Sequence, residues 1–172
     1  MDWHEIVKYS PKNYDNNGAY KIDEWTSRSD IGKCYNGKVF TLDDYLKVEQ
    51  QYIDAVLSIM SATESKYLTI NYLEINKDDI IEHIKSSKFY DIDSPLLQSL
   101  SLLKENNRIS YEQMSCVIRL CLREFAYLEL SNNEHKLKIE FGYDYYLRVL
   151  CSLDNTVLQS IVDKAGLYLD PR

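Results

Sequence analysis

Residues 136–150 read KLKIEFGYDYYLRVL. Leu137, Ile139 and Phe141 alternate with Lys136, Lys138 and Glu140, the period-two pattern of a strand with one face in a core and one in water. Gly142 interrupts the pattern where a bulge or a tight turn with positive φ is expected. Residues 145–150 then read as a returning strand, so the stretch is a hairpin. Neighbouring strand residues point to opposite sides, so Tyr145 and Tyr146 are not both internal: at least one faces outward or into a groove. Asp144 has a local use as acceptor of turn hydrogen bonds, and a sharper one as the anion of a Tyr/Asp patch for a cationic partner.

Working outward, residues 125–130 read as the preceding strand, with a turn at Asn132-Asn133. Residues 67–75 form an earlier strand with Leu68, Ile70 and Tyr72 on one side. Helix signals surround these strands. Thr41 with Asp44 and Ser110 with Gln113 are capping boxes ahead of apolar stripes. Asn76 caps a short helix headed by Asp78 and Asp79. Ser94-Pro95 reads as an N-cap with proline at N1, followed by Leu96, Leu100 and Leu103. Asp154 opens a last helix with Val157, Leu158, Ile161, Val162 and Ala165 inward, and Gly166 stops it. Short turns between consecutive strands imply an antiparallel β-meander. With about five helices before and after it, the fold class is α+β in a single domain, residues 1–172. Residues 1–40 read as an irregular, aromatic-containing N-terminal segment packed on the body.

The 172 residues hold 20 Lys and Arg against 27 Asp and Glu, a formal charge of −7. No segment is basic, so no nucleic-acid partner is expected. No apolar run approaches the ~20 residues of a membrane span, and MDWHEIVKYS does not read as a signal peptide. Cys34, Cys116, Cys121 and Cys151 form no CxxC, and His4, His83 and His135 stand in no ligand spacing, so metal and cofactor sites are expected to be none. There is no GxSxG elbow and no glycine-rich phosphate loop, so no catalytic residue is assigned. Tyrosine, at 15 residues, supplies large rings with a polar handle, which suits an interface.

Three stretches carry a resemblance: DEWTSRSDIGKCYNGKVFTLDDYLKVEQQYIDAV at 23–56, YLTINYLE at 67–74, and the LREFAYLEL…IEFGYDYYLRV block at 122–149. Together they resemble small bacterial immunity proteins of contact-dependent growth inhibition and related polymorphic toxin systems. The resemblance implies a cytoplasmic antidote, monomeric when free, that binds the C-terminal toxin domain of its cognate protein, often a nuclease. An acidic surface suits the basic cleft of a nuclease. The partner-binding residues expected on that reading are Asp23, Glu24, Trp25 and Asp30 in the irregular segment, and Tyr143, Asp144 and Tyr146 at the hairpin corner. Residue by residue, an internal anchor for Trp25 and a solvated face for the acids are the competing assignments. Two other classes stay open: a small hydrolase or transferase with an unrecognised pocket, and a module that self-associates through the edge of residues 67–75.

Overall fold

Among the described residues, 2–171, the computed structural model runs in the order β1 (Trp3–Val7), β2 (Cys34–Tyr35), β3 (Lys38–Val39), α1 (Leu42–Ala62), β4 (Tyr67–Glu74), α2 (Lys77–Ser86), α3 (Tyr90–Asp93), β5 (Arg108–Ser110), α4 (Tyr111–Leu122), β6 (Tyr127–Asn132), β7 (Leu137–Phe141), β8 (Leu147–Leu150), α5 (Asn155–Ala165) and β9 (Tyr168–Leu169). Seven strands pair antiparallel in the order β5-β4-β6-β7-β8-β1-β9, and β2 and β3 make a separate small hairpin. The fold is α+β in a single domain. No helix among the described residues is long and apolar enough to cross a membrane.

Residues 137–150 form the β7–β8 hairpin, with Phe141 opposite Leu147 and Ile139 opposite Val149. Leu137, Ile139, Phe141, Leu147 and Val149 are buried on the face that meets the helices. Glu140 and Arg148 lie on the other face, joined at 2.8 Å. One face in the core and one in water is what the alternation specified.

Three local readings change. Tyr72 does not follow Leu68 and Ile70 inward, because a bulge at Asn71 shifts the pairing between Ile70/Leu130 and Tyr72/Glu129. A bulge adds one residue and reverses the side-chain phase, so Leu73 packs against the core while Tyr72 is exposed. Ser94 is not an N-cap: it ends α3, which runs directly into a 3₁₀ stretch, Ser94–Leu102, with Ser94 itself in helical conformation. Val157 is exposed on α5, where Leu158 and Val162 supply the buried face.

The chain start is more regular than its composition suggests. Residues 3–7 enter the sheet between β8 and β9, with Trp3 opposite Leu150 and Ile6 opposite Leu147. WHEIV shows no clean alternation, and its partner strand lies at the far end of the chain. β4 is also internal, since Tyr67, Leu68 and Thr69 pair with β5 on one side and Thr69 onward with β6 on the other.

Beneath the helices lies a buried ionic cluster. Arg123 follows α4 and donates from Nε and Nη2 to the two carboxylate oxygens of Glu49 on α1, both at 2.7 Å. Its Nη1 donates to Asp93 Oδ1 at 2.8 Å and to the Ile92 carbonyl at 2.9 Å. Arg28 reaches Asp93 Oδ2 at 2.7 Å, and Tyr45 donates to Glu49 Oε2 at 3.2 Å. Arg28, Glu49, Asp93 and Arg123 are all less than a tenth exposed. Burial acts to lower the Arg123 pKa, and the facing carboxylates outweigh it, so the guanidinium is held well above its ordinary range. Removing one member of such a cluster strands its opposite charges in a medium that solvates them poorly. Arg123→Met is therefore expected to cost about 3–5 kcal/mol in urea unfolding. Arg119→Ala, which removes a half-exposed 3.2 Å contact to Glu49, is expected to cost less than about 1 kcal/mol.

Candidate functional site

The turn between β7 and β8 holds two consecutive non-glycine residues at positive φ. Tyr146 N donates to the Tyr143 carbonyl at 3.1 Å and Gly142 N to the Tyr146 carbonyl at 2.7 Å. The two residues between, Asp144 and Tyr145, have φ of 54° and 64°. That is the pattern of a type I′ turn, which usually recruits Asn and Gly. Gly142, where positive φ was expected, does not take it. A Cβ at Gly142 would lie 3.2 Å from the Tyr146 carbonyl oxygen, so the glycine allows the strands to close.

A tyrosine in the left-handed region costs about 1–2 kcal/mol. The surroundings of Tyr145 offset it. Its ring packs edge-on against Trp25 at 4.9 Å and lies near Tyr45 and Tyr52. Its hydroxyl donates to the Leu122 carbonyl at 3.2 Å, and its own carbonyl accepts from the Tyr52 hydroxyl. Burial pushes the phenols of Tyr145, Tyr45 and Tyr52 well above the ordinary range, so all three stay protonated donors. Tyr145 thus plugs the turn into the core. Tyr143, on the other side of Asp144, is 89% exposed.

Two cavities flank this tip and share Asp144. One, of about 330 Å³, is lined by Glu74, Glu124, Phe125, Tyr127, Tyr143 and Asp144 among others. The second, also about 330 Å³, is lined by Tyr9, Tyr14, Tyr20, Glu24, Asp144 and Tyr146 among others. No Lys, Arg or His among the described residues lines either one. Behind Glu24 the buried Lys8 ammonium donates to it at 2.8 Å. Burial lowers the Lys8 pKa, and Glu24 restores part of it.

The seven residues expected from sequence divide. Glu24, Asp144 and Tyr146 line one cavity, and Tyr143 lines the other. Asp23 is exposed outside both, its carbonyl accepting from Asn36 Nδ2. Trp25 is internal, stacked on Phe40 at 4.4 Å and 14°. Asp30 is also buried; it accepts from Thr26 N and Ser27 N at 3.0 and 3.2 Å and from Lys33 Nζ at 2.7 Å. Both the Trp25 and the Asp30 side chains are therefore largely buried rather than displayed on the surface. Tyr9, Tyr14 and Tyr20 were not anticipated; the tyrosine excess was visible, but their meeting with Tyr146 spans most of the chain.

No family model, no curated protein and no solved structure matches the chain.

Two outcomes follow from this geometry. Burial acts to raise the Asp30 pKa, but the Lys33 ammonium and the Thr26 and Ser27 amides outweigh it and bring it from 3.8 to about 2. A folded-state pKa below the unfolded one contributes stability above about pH 4 that is lost as pH falls toward about 2. Asp30→Asn is expected to be less stable than the wild type near neutrality and to show a shallower decline over that window, read from urea midpoints at stepped pH. Asp144→Asn keeps a residue that tolerates positive φ, so its thermal midpoint is expected to match or exceed the wild type's.

Proposed function

We propose that the chain is an immunity protein: a cytoplasmic, monomeric antidote that binds the C-terminal toxin domain encoded beside it, without chemistry of its own. The observation that carries the reading is Tyr143, an almost fully exposed ring beside an exposed carboxylate, held on a strained turn by Tyr145. Backbone strain retained at a surface tip marks a site where geometry matters. An aromatic side chain has few torsions to fix on binding and is the kind of residue that dominates interface energies.

The two flanking cavities support the same reading. Their linings combine carboxylates and phenol rings, complementary to a basic surface such as a nuclease cleft. Complementarity of this kind raises association rates and fixes register. The most strongly perturbed phenols, Tyr45 and Tyr52, are buried in the core and have structural partners. Among the described residues no group of three His, Cys, Asp or Glu is arranged to hold a metal.

Growth rescue tests the proposal. The toxin domain encoded immediately upstream is induced in sensitive cells with and without this protein. Rescue by the wild type is expected, together with tight binding of the purified pair. The double variant Tyr143→Ala/Asp144→Asn is expected to weaken that binding by about 10- to 100-fold, the usual range for one hot spot and its neighbour. Absence of both rescue and binding overturns the immunity reading. Rescue with undiminished affinity of the double variant moves the interface to another face.

A further inference from the structure

The cavity behind the tip has a lining more specific than an acidic surface. Tyr9 and Tyr20 meet edge-on at 5.2 Å, Tyr14 and Tyr20 at 4.9 Å, and Tyr9 and Tyr146 at 5.8 Å. The Tyr14 and Tyr146 hydroxyls approach to 3.4 Å, and Tyr20 donates to Glu24. Asp144 closes one wall and makes no salt bridge among the described residues.

One group in this lining is unsatisfied. The Tyr9 hydroxyl is buried and has no hydrogen-bond partner, on a residue only 6% exposed. Buried hydroxyls in folded proteins are nearly always paired, and an orphan calls for an explanation. Burial, then the Asp144 and Glu24 carboxylates, hold the Tyr9 pKa far above its ordinary value. The group is therefore a neutral phenol in a negative field, with an oxygen free to accept.

The fold already uses this environment for a cation. Lys8 Nζ lies 4.0 Å from the centre of the Tyr9 ring and 4.3 Å from that of Trp25, with Glu24 as counter-ion at 2.8 Å. Lys8 pairs directly with Glu24 and feels the Asp144 charge only at longer range, so Asp144, on the wall of the cavity, makes no direct ion pair of its own among the described residues.

We propose that the cavity formed by Tyr9, Tyr14, Tyr20 and Tyr146 is a receptor for one protonated basic side chain, Lys or Arg, projecting from the partner protein. Asp144 supplies the counter-ion, the phenol rings supply cation–π attraction, and the Tyr9 oxygen accepts one of the cation's N–H bonds. Such a cation satisfies the orphan hydroxyl and the unpaired carboxylate together, which an acidic or purely apolar group does not. The inference deepens the immunity reading: the partner's identity rests on that reading, while the chemistry of the occupant rests on the cavity.

The isolated, isotope-labelled protein provides the test, titrated at physiological salt with acetyl-arginine methylamide, acetyl-lysine methylamide and the neutral acetyl-citrulline methylamide. Amide shift changes confined to the cavity residues are expected for the arginine or lysine probe, with the better of the two binding roughly 3- to 10-fold more tightly than citrulline. Asp144→Asn is expected to abolish that preference. Tyr9→Phe removes a buried unpaired hydroxyl, so it is expected to leave the thermal midpoint unchanged or raised while weakening the cationic probe about threefold or more. A purely structural Tyr9 hydroxyl gives the opposite stability result and no change in probe binding.

Equal binding of all three probes, or cationic binding indifferent to both substitutions, overturns the cavity assignment. Because the titration uses no toxin, that failure is separable from the failure of growth rescue. Rescue without a cation-selective cavity sinks this inference alone; a selective cavity without rescue or toxin binding sinks the immunity reading alone.

Discussion

The Arg123 guanidinium, forked onto Glu49 and tied to Asp93, holds together parts of the chain that secondary structure alone leaves independent. Glu49 comes from the middle of α1, Asp93 from the end of α3, and Asp93 in turn fixes Arg28 of the N-terminal segment. Two backbone regions therefore converge on the residue that follows α4, and a third joins them through Asp93. A buried cluster of this kind is weak evidence for net stability, because desolvation offsets much of the Coulomb gain. Its consequence is geometric: few other arrangements leave all of these charges paired. The carbonyl that accepts from Tyr145 belongs to Leu122, the residue before Arg123, so the cluster lies next to the anchor of the β7–β8 turn.

That anchor ties the β7–β8 turn to the core through Tyr145. Tyr145 occupies a conformation that tyrosine avoids, and it does so because core packing and two hydrogen bonds outweigh the local cost. The residues on either side of it then have their directions imposed: Asp144 and Tyr143 project outward, and Tyr146 turns back toward Tyr9 and Tyr14. Strain in the turn and exposure of the rings are two consequences of one constraint.

The acidic character of the surface acts on a longer scale. A chain at −7 attracts basic proteins before contact, and the attraction falls with salt. Shorter-range features lie in the two cavities beside the turn, whose linings are phenol rings, hydroxyls and carboxylates without a Lys, Arg or His among the described residues.

The sequence by itself determined the elements that announce themselves locally. The alternation of residues 137–141, the capping boxes at Thr41 and Ser110 and the glycine stop at Gly166 each fix a few backbone torsions through neighbouring residues, and each is where the pattern put it. Those elements were enough to define an antiparallel α+β domain. The ionic cluster left a fainter sign: Glu49 lies on the same face of α1 as Tyr45, Tyr52 and Val56, a charge inside an apolar stripe. Only the tertiary structure decided which charges meet, that WHEIV joins the sheet, that Tyr72 turns outward at a bulge, and that Tyr9, Tyr14 and Tyr20 gather around Tyr146. These outcomes depend on pairings between residues far apart in the chain, and no local torsional or periodic preference encodes the partner of a long-range contact.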